Sequence, residues 1–515
     1  MEWRTVIRRA ALLAAVVGAS GFLLGAACPP REWWLAAWVV PGLLLVPTRR
    51  LGPGASLLAG LGFAVIFGCT LTGWAFHASL AYFDFNRALA AAFVVLVWLV
   101  YGGIPFAALL TVHGAVARRL PAGARPVVGA WLWVASEFLR ATLFTGMPWE
   151  LLGHTQFRSL WLVQVADLGG VYAVSFVVAF VSLSVAELVA AGRSAAASPA
   201  LCLRRLGPAT VVLGAVLAYG AARHAAYPDR TPADARTVAV VQGNVPNAFR
   251  WKRAFFEQAL ATYADLTTSV AAAAPDLIVW PENAVNFYID QEPLLHAELG
   301  EVATLAHEGL IVGGPRLTDD GHAHNSAYLL TPEGAISATY DKQHLVPLAE
   351  YVPFRSVTPE PDGPEAYVAG TPADPLRSAT LRLGTVICYE ALFPQLVRDL
   401  VRRGAEVLVN ISNDSWMDAG DGGAPAQHFS MVVFRAIETR RYVVRASASG
   451  VSGFVSPYGA LFSLLPHATA GAAVGKVAPL HEITPYVRWG DRWILLGGLV
   501  AGATFLARRR VEAAA

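Results

Sequence analysis

The sequence predicts an α-helical membrane bundle joined to an α/β domain, and three observations carry that expectation. Of 515 residues, 55% are hydrophobic and only 15% charged, with a mean hydropathy of +0.47, too apolar for a chain lying wholly in water. The apolar residues gather into long uncharged runs before position 224 and again near the end. Between these, short β-branched runs alternate with amphipathic stretches of helical period, the pattern of an α/β sheet. The 39 basic and 37 acidic residues leave a charge of +2, so there is no basic footprint for nucleic acid. Cys28, Cys69, Cys202 and Cys388 have no paired metal spacing, and neither a disulfide framework nor a metal site is expected.

The first uncharged run, 10–27, follows Arg4, Arg8 and Arg9. It is long for the core of a signal peptide and further runs follow at once, so it is expected to stay as a membrane helix. The runs 33–48, 51–83, 88–117, 126 to about 146, 168–186, 206–222 and 493–507 complete about eight spans, seven before the polar region and one after it. With eight spans, Arg8/Arg9, Arg49/Arg50, Arg118/Arg119, Arg204/Arg205 and Arg508 to Arg510 all fall on one side. By the positive-inside rule that side is cytoplasmic, which puts the polar region outside the cytoplasm. Glu137 and Arg140 are three apart in the fifth span, a spacing that allows them to pair, and ionisable groups at that depth are functional suspects.

After a Pro- and Asp-rich linker near 225–232 the polar domain begins. Strands are expected at 237–242, 276–280, 310–313, 407–411 and 442–446, and helices at 253–274, 294–307, 393–403 and 427–440. A hairpin is expected over 325–340, turning at Thr331-Pro-Glu-Gly334. Residues 355–375 read as loop, as does the Gly-rich 414–425, which is expected to be a mobile lid carrying Trp416. Strand-like pieces close the domain before Pro479, with a turn at Ser456-Pro-Tyr-Gly459.

Three chemical residues stand at strand ends. The β-branched run from Arg382 ends in Cys388, the run 277–280 leads through Trp280-Pro281 to Glu282, and the second hairpin strand leads to Lys342. A thiol is mostly protonated at neutral pH and needs a base to become a nucleophile; Glu282 is the candidate. Lys342 and the backbone N–H of Tyr389 are candidate donors to an oxyanion. Glu350 and Glu390 are carboxylates placed to orient the lysine or the base, and His344 is expected to be structural.

Glu, Lys and Cys in that order resemble the triad of the nitrilase superfamily. The resemblance narrows with Trp280-Pro-Glu-Asn-Ala284, Lys342-Gln-His-Leu-Val-Pro347, Glu350-Tyr-Val-Pro353, Cys388-Tyr-Glu390, Asn410-Ile-Ser-Asn-Asp-Ser-Trp416, Gln242-Gly-Asn244, Gln427-His428 and Phe144-Thr-Gly-Met-Pro-Trp149. Together these are similar to the motifs of bacterial apolipoprotein N-acyltransferases, over nearly the whole chain. Ser447-Ala-Ser-Gly450 departs from that pattern, where an Asn-Gly turn is common.

The resemblance implies a transmembrane domain over 1–224, a nitrilase-like α-β-β-α sandwich over 235–479, and a last span with its tail over 490–515. It implies catalytic roles for Glu282, Lys342 and Cys388, support from Glu350, Glu390 and Tyr389, and substrate contacts from Trp251, Trp416 and Asn325. The activity implied is transfer of an acyl chain from a phospholipid, typically phosphatidylethanolamine, through a cysteine thioester to the α-amino group of a diacylglyceryl-cysteine apolipoprotein. This takes place at the outer face of the bacterial inner membrane with no cofactor. Two other classes fit parts of the chain: a membrane-tethered amidase for a small soluble substrate, and a transporter or scaffold with a nitrilase-like binding module, which the lack of matched broken helices disfavours.

Overall fold

The computed structural model describes residues 2–192, 198–227, 233–245, 255–351 and 367–498. The chain forms two compact units, Met1–Ala226 with Trp489–Ala515, and Tyr227–Arg488.

Among the described residues of the first unit five helices are long and apolar enough to cross a membrane: Trp3–Ala27, Pro53–Leu71, Arg87–Ala117, Ala166–Ala190 and Pro199–Ala225. Shorter apolar helix covers Trp34–Thr48, and the amphipathic helix Arg125–Thr142 packs against Ala166–Ala190. The run expected as one span over 51–83 is broken at Thr72, whose backbone leaves helical geometry (φ −112°, ψ 42°) before the helix Gly73–Ala81. The Thr72 hydroxyl donates to the Gly68 carbonyl (2.9 Å) and accepts the Trp98 indole N–H (2.8 Å), which satisfies polar groups at the break. Most of 493–507, and Arg508 to Arg510 beyond it, lie outside the described residues.

The second unit is built on two six-stranded sheets. The first has the order β12-β1-β2-β3-β4-β5, where β1 is Arg236–Gln242, β2 Leu277–Val279, β3 Gly309–Leu317, β4 Ala323–Leu330, β5 Ile336–Asp341 and β12 Gly471–Val477. The other has the order β11-β10-β9-β8-β7-β6, with β6 at Leu376–Arg377, β7 at Arg382–Ile387, β8 at Val407–Ser412, β9 at Val443–Ser447, β10 at Ser452–Val455 and β11 at Leu461–Leu465. Strands β1, β2 and β3 are parallel, as are β7, β8 and β9.

These strands read as unbroken apolar runs because both faces are buried. Val238, Val240, Leu277, Val279 and Ile311 face the other sheet, where Leu383, Ile387, Val409, Ile411 and Val444 meet them. The alternate residues Ala239, Val241, Ile278, Leu310 and Val312 pack outward on Leu260, Tyr263, Leu295 and Leu299 of the helices Phe256–Thr268 and Pro293–Ala303. Helices Pro394–Arg402 and Gly423–Thr439 cover the second sheet, completing an α-β-β-α sandwich. The helix expected at 427–440 begins a turn early, at Gly423, where Gly422 in the left-handed region (φ 66°) starts it. In open parallel sheets functional groups collect beyond the carboxyl ends of the strands, and β2, β7 and β8 here end in Trp280-Pro281-Glu282, Cys388 and Asn413.

Candidate active site

Strand β2 stops because Pro281 has no N–H to continue the ladder. Trp280 anchors the exit: it is fully buried, its indole donates to Thr267 Oγ1 (3.0 Å), and its ring stacks on Tyr263 at 5.1 Å. The next residue, Glu282, is buried at the sheet end. Gly313 makes this approach possible, since a Cβ there would stand 2.4 Å from the Pro281 carbonyl and 2.6 Å from the Glu282 Cα.

Glu282 Oε1 accepts hydrogen bonds from Lys342 Nζ (3.2 Å) and Asn325 Nδ2 (2.7 Å), and Oε2 accepts the Asn413 backbone N–H (2.7 Å). Glu350 holds the same two donors from the other side: its Oε1 accepts from Lys342 (2.9 Å) and Asn325 (2.8 Å), and its Oε2 from the Val346 N–H (2.8 Å). Lys342 is 1% exposed. Burial opposes its charge, but Glu282 and Glu350 outweigh it and hold the ammonium well above the usual lysine range. Asn325, expected among the substrate-binding residues, lies on β4 and joins the two carboxylates.

Cys388 follows β7 as the first residue of the 3₁₀ turn Cys388–Leu392, buried and with φ at +52°. A non-glycine residue held in the left-handed region is strained, and such strain collects at functional sites. Burial pushes the thiol upward, the Glu282 charge adds to this, and Lys342 opposes it. The resting group is therefore the thiol, within electrostatic reach of the Glu282 carboxylate and the Lys342 ammonium.

Glu390 ties this turn to the lysine segment. Its Oε1 accepts the N–H of Gln343 (2.6 Å) and His344 (3.1 Å), its Oε2 accepts the Ile387 N–H (2.7 Å), and Tyr340 OH lies 3.0 Å from both oxygens. Full burial raises its carboxyl to about 7, opposed by the Ile387 N–H and Lys342. Tyr389 and Phe393 pack on the His344 ring (centroids 5.7 and 3.8 Å), consistent with a structural part for that histidine.

A second buried network, only partly anticipated from the sequence, carries the backbone of Cys388. His428 Nε2 lies 3.1 Å from the Cys388 carbonyl oxygen and its Nδ1 is 2.8 Å from Asp414 Oδ1. Asp414 also accepts from Arg445 (2.7 Å), Ser412 (2.8 Å) and Ser447 (3.0 Å). Burial works against the Asp414 charge, but Arg445 and His428 prevail and keep it below the usual carboxylate range. The motif Asn410 to Trp416 can thus be read residue by residue: Asn410 accepts from Arg445, Ser412 and Asp414 build the network, and Asn413 donates to Glu282. Ser447, in the stretch that departs from the family pattern, supplies a donor to Asp414, and Gly450 is needed because a Cβ would fall 2.1 Å from Asp414 Oδ2. Ligand atoms of Cys388, Asp414 and His428 lie within 4.8 Å of one another. Arg445 already provides the positive charge on Asp414 there, so the cluster is a poor cation site.

Other motif residues lie elsewhere. Gln242 fastens β1 to the 466–469 loop through Pro466 and Thr469 (2.8 Å each), and Asn244 bonds Ala448 and Ala468. Trp416 is half-buried, while Trp251 lies outside the described residues. The expected lid over 414–425 is tethered: Asp414 and Met417 are buried, and Asp418 bonds His467 (2.6 Å) and the N–H groups of Gly420 and Gly422. In the membrane unit Glu137 and Arg140, whose spacing allows them to pair, grip one segment instead. Glu137 accepts the Leu152 N–H (2.7 Å) and the Trp133 indole (3.1 Å), and Arg140 donates to the carbonyls of Trp149 (2.8 Å) and Glu150 (2.9 Å).

The profile of the carbon-nitrogen hydrolase family matches residues 237–480, and that of the apolipoprotein N-acyltransferase N-terminal domain matches 20–184. An amidase of the nitrilase superfamily from Nesterenkonia superposes with a TM-score of 0.38 at 18% identity, over 50% of this chain and 95% of that one. The carbon-nitrogen hydrolase match makes the second unit a nitrilase-like domain, on a chain with a membrane-helical region. Apolipoprotein N-acyltransferases of Geobacter metallireducens (32% identical over 99% of this chain and 97% of the relative) and Azotobacter vinelandii (34%, over 96% and 95%) are similar over nearly their full length. The chain belongs to the apolipoprotein N-acyltransferase family. It is a multi-pass membrane acyltransferase of lipoprotein N-acylation.

Proposed function

We propose that Cys388 carries the acyl group between a phospholipid, typically phosphatidylethanolamine, and the α-amino group of a diacylglyceryl-cysteine apolipoprotein. One observation above all supports this reading: Lys342 is shared by Glu282 and Glu350 at the strand ends beside a strained, buried Cys388. Glu282 takes the thiol proton, and the sulfur attacks the ester carbonyl. Lys342 and the Tyr389 N–H offset the charge on the carbonyl oxygen in the tetrahedral intermediate. The ester C–O bond then breaks, the Glu282 proton passes to the departing lysophospholipid oxygen, and a thioester remains. In the second half-reaction the acceptor amine attacks the thioester, its proton passes to Glu282, and the thiol is regenerated from that proton. Glu350 keeps the lysine in place, Glu390 and His428 hold the two backbone segments, and Trp251 and Trp416 contact substrate.

The similarity over both the membrane-helical and the nitrilase-like regions favours this activity over a tethered amidase. We place the protein in the inner membrane with about eight spans, the helices Trp34–Thr48 and Arg125–Thr142 and the segment from Trp493 joining the five long ones. In this arrangement the transmembrane domain covers 1–224, the catalytic domain 235–479, and the last span with its tail 490–515. The arginine asymmetry then sets the catalytic domain on the periplasmic side.

The test is mass spectrometry of the peptide containing Cys388 after incubation with phosphatidylethanolamine. One fatty acyl group, removable by hydroxylamine and discharged by an apolipoprotein acceptor, is expected on the wild type and absent from Cys388→Ala. An acyl group on another residue, or N-acylation by Cys388→Ala, overturns the proposal.

A further inference from the structure

At one end of the membrane unit the charges do not balance. Glu187, near the end of the helix Ala166–Ala190, is buried and meets three arginines from three other elements. Arg49, just after the helix Val40–Thr48, bonds its Oε1. Arg125, opening the helix Arg125–Thr142, places Nη1 3.6 Å from Oε2. Arg205, in the first turns of Pro199–Ala225, lies 4.0 Å from Oε2 and donates to the Glu187 backbone carbonyl at 3.1 Å. Arg118 joins the same end by donating to the Leu51 carbonyl (3.4 Å).

The three guanidinium side chains are only 16%, 24% and 19% exposed, yet among the described residues Glu187 is the one carboxylate paired with them. Buried beside them, His113 leaves Nδ1 without a hydrogen-bond partner and within electrostatic reach of Arg49 and Arg125. Toward the opposite end of the same unit Arg158 pairs with Glu32 (2.8 Å) and Arg223 with Asp167 (3.3 Å).

Three half-buried cations around a single anion repel one another unless a further anion joins them. In a bilayer the anion at that depth is a lipid phosphate, and basic pockets between membrane helices bind anionic headgroups. We propose that Arg49, Arg125 and Arg205 form a binding site for the headgroup of a phospholipid with net negative charge, distinct from the acyl-donor site. A zwitterionic headgroup, whose ammonium cancels its phosphate, leaves the surplus in place.

The experiment uses the full chain in nanodiscs of phosphatidylcholine alone or with phosphatidylglycerol, reading Tm and, by native mass spectrometry, the lipid retained. Wild type is expected to retain phosphatidylglycerol and to melt higher with it. In Arg125→Gln/Arg205→Gln retention should fall by about fivefold per arginine removed. Should that variant fail to fold, Glu187→Gln is the decisive one: it increases the positive surplus, so retention of phosphatidylglycerol should rise although a helix-bridging carboxylate is lost. A third arm adds inorganic phosphate to phosphatidylcholine nanodiscs, and a Tm gain equal to that from phosphatidylglycerol would overturn the lipid assignment. Equal retention in wild type and the double variant, or no rise in Glu187→Gln, would overturn the site.

Discussion

Buried charge is handled in two ways in this molecule. In the nitrilase-like unit the buried ions at the strand ends find their complement within the polypeptide: Lys342 lies between Glu282 and Glu350, and Asp414 between Arg445 and His428. In the membrane unit the cluster on Glu187 is left with positive surplus. The difference follows from the surroundings. A buried ion in a protein core has only the chain to compensate it, whereas an ion at the end of a membrane bundle has a headgroup layer within reach. Balanced clusters hold geometry for chemistry, and unbalanced ones recruit something from outside.

The sharpest way to break this comparison is to unbalance the cluster around Lys342. Lys342→Met leaves two neighbouring carboxylates buried without their cation. Acyl-enzyme formation should drop by about 10²–10³-fold or more, and unfolding in denaturant should show a loss of about 3–5 kcal/mol. Adding Glu350→Gln should return part of the stability and none of the rate. Wild-type stability in Lys342→Met would mean that the lysine does not neutralise this site.

Glu390 gives the intermediate case, since four donors surround it but, among the described residues, no cation bonds it. Its folded value of about 7 stands above the ordinary 4.5, so the folded state holds this proton more tightly than the unfolded chain. The resulting stabilisation is complete below 4.5 and is lost as pH rises through about 7. Function should run the other way, because only the carboxylate offers both oxygens to the Gln343, His344 and Ile387 N–H groups. The acylation rate should therefore rise through about pH 7 in wild type and lose that limb in Glu390→Gln. Superimposable pH profiles would remove Glu390 from this role.

The smallest effect is expected at the unbalanced end. Arg125→Gln in a zwitterionic detergent gives up hydrogen bonds to the Ala117 and Leu120 carbonyls but relieves repulsion from its neighbours. Its stability loss should stay under about 1.5 kcal/mol by denaturant unfolding. A loss as large as that of Lys342→Met would show that this cluster is balanced after all.

The sequence by itself determined a membrane-helical region, an α/β domain, and the Glu282, Lys342 and Cys388 candidates, because hydropathy and period are local properties and each candidate closes a β-branched run. It also pointed to the family, since the motifs around those residues are contiguous. Other features required the tertiary structure. That Asp414 and His428 meet at the Cys388 carbonyl depends on β7, β8 and the helix Gly423–Thr439 coming together, and no spacing along the chain encodes it. A lid over 414–425 was expected from its glycines, yet His467, far along the chain, tethers it. Glu137 and Arg140 have the spacing of an ion pair, but the segment from Trp149 to Leu152 offers each a nearer partner. In the same way the arginine pairs marked one side of the membrane in the sequence, but only helix packing brought Arg49 and Arg205, from two of those pairs, together with Arg125 onto one glutamate. Local pattern decides which segments form and which face is apolar; which polar groups share a buried space is decided by long-range packing, where each must find a partner wherever the fold puts one.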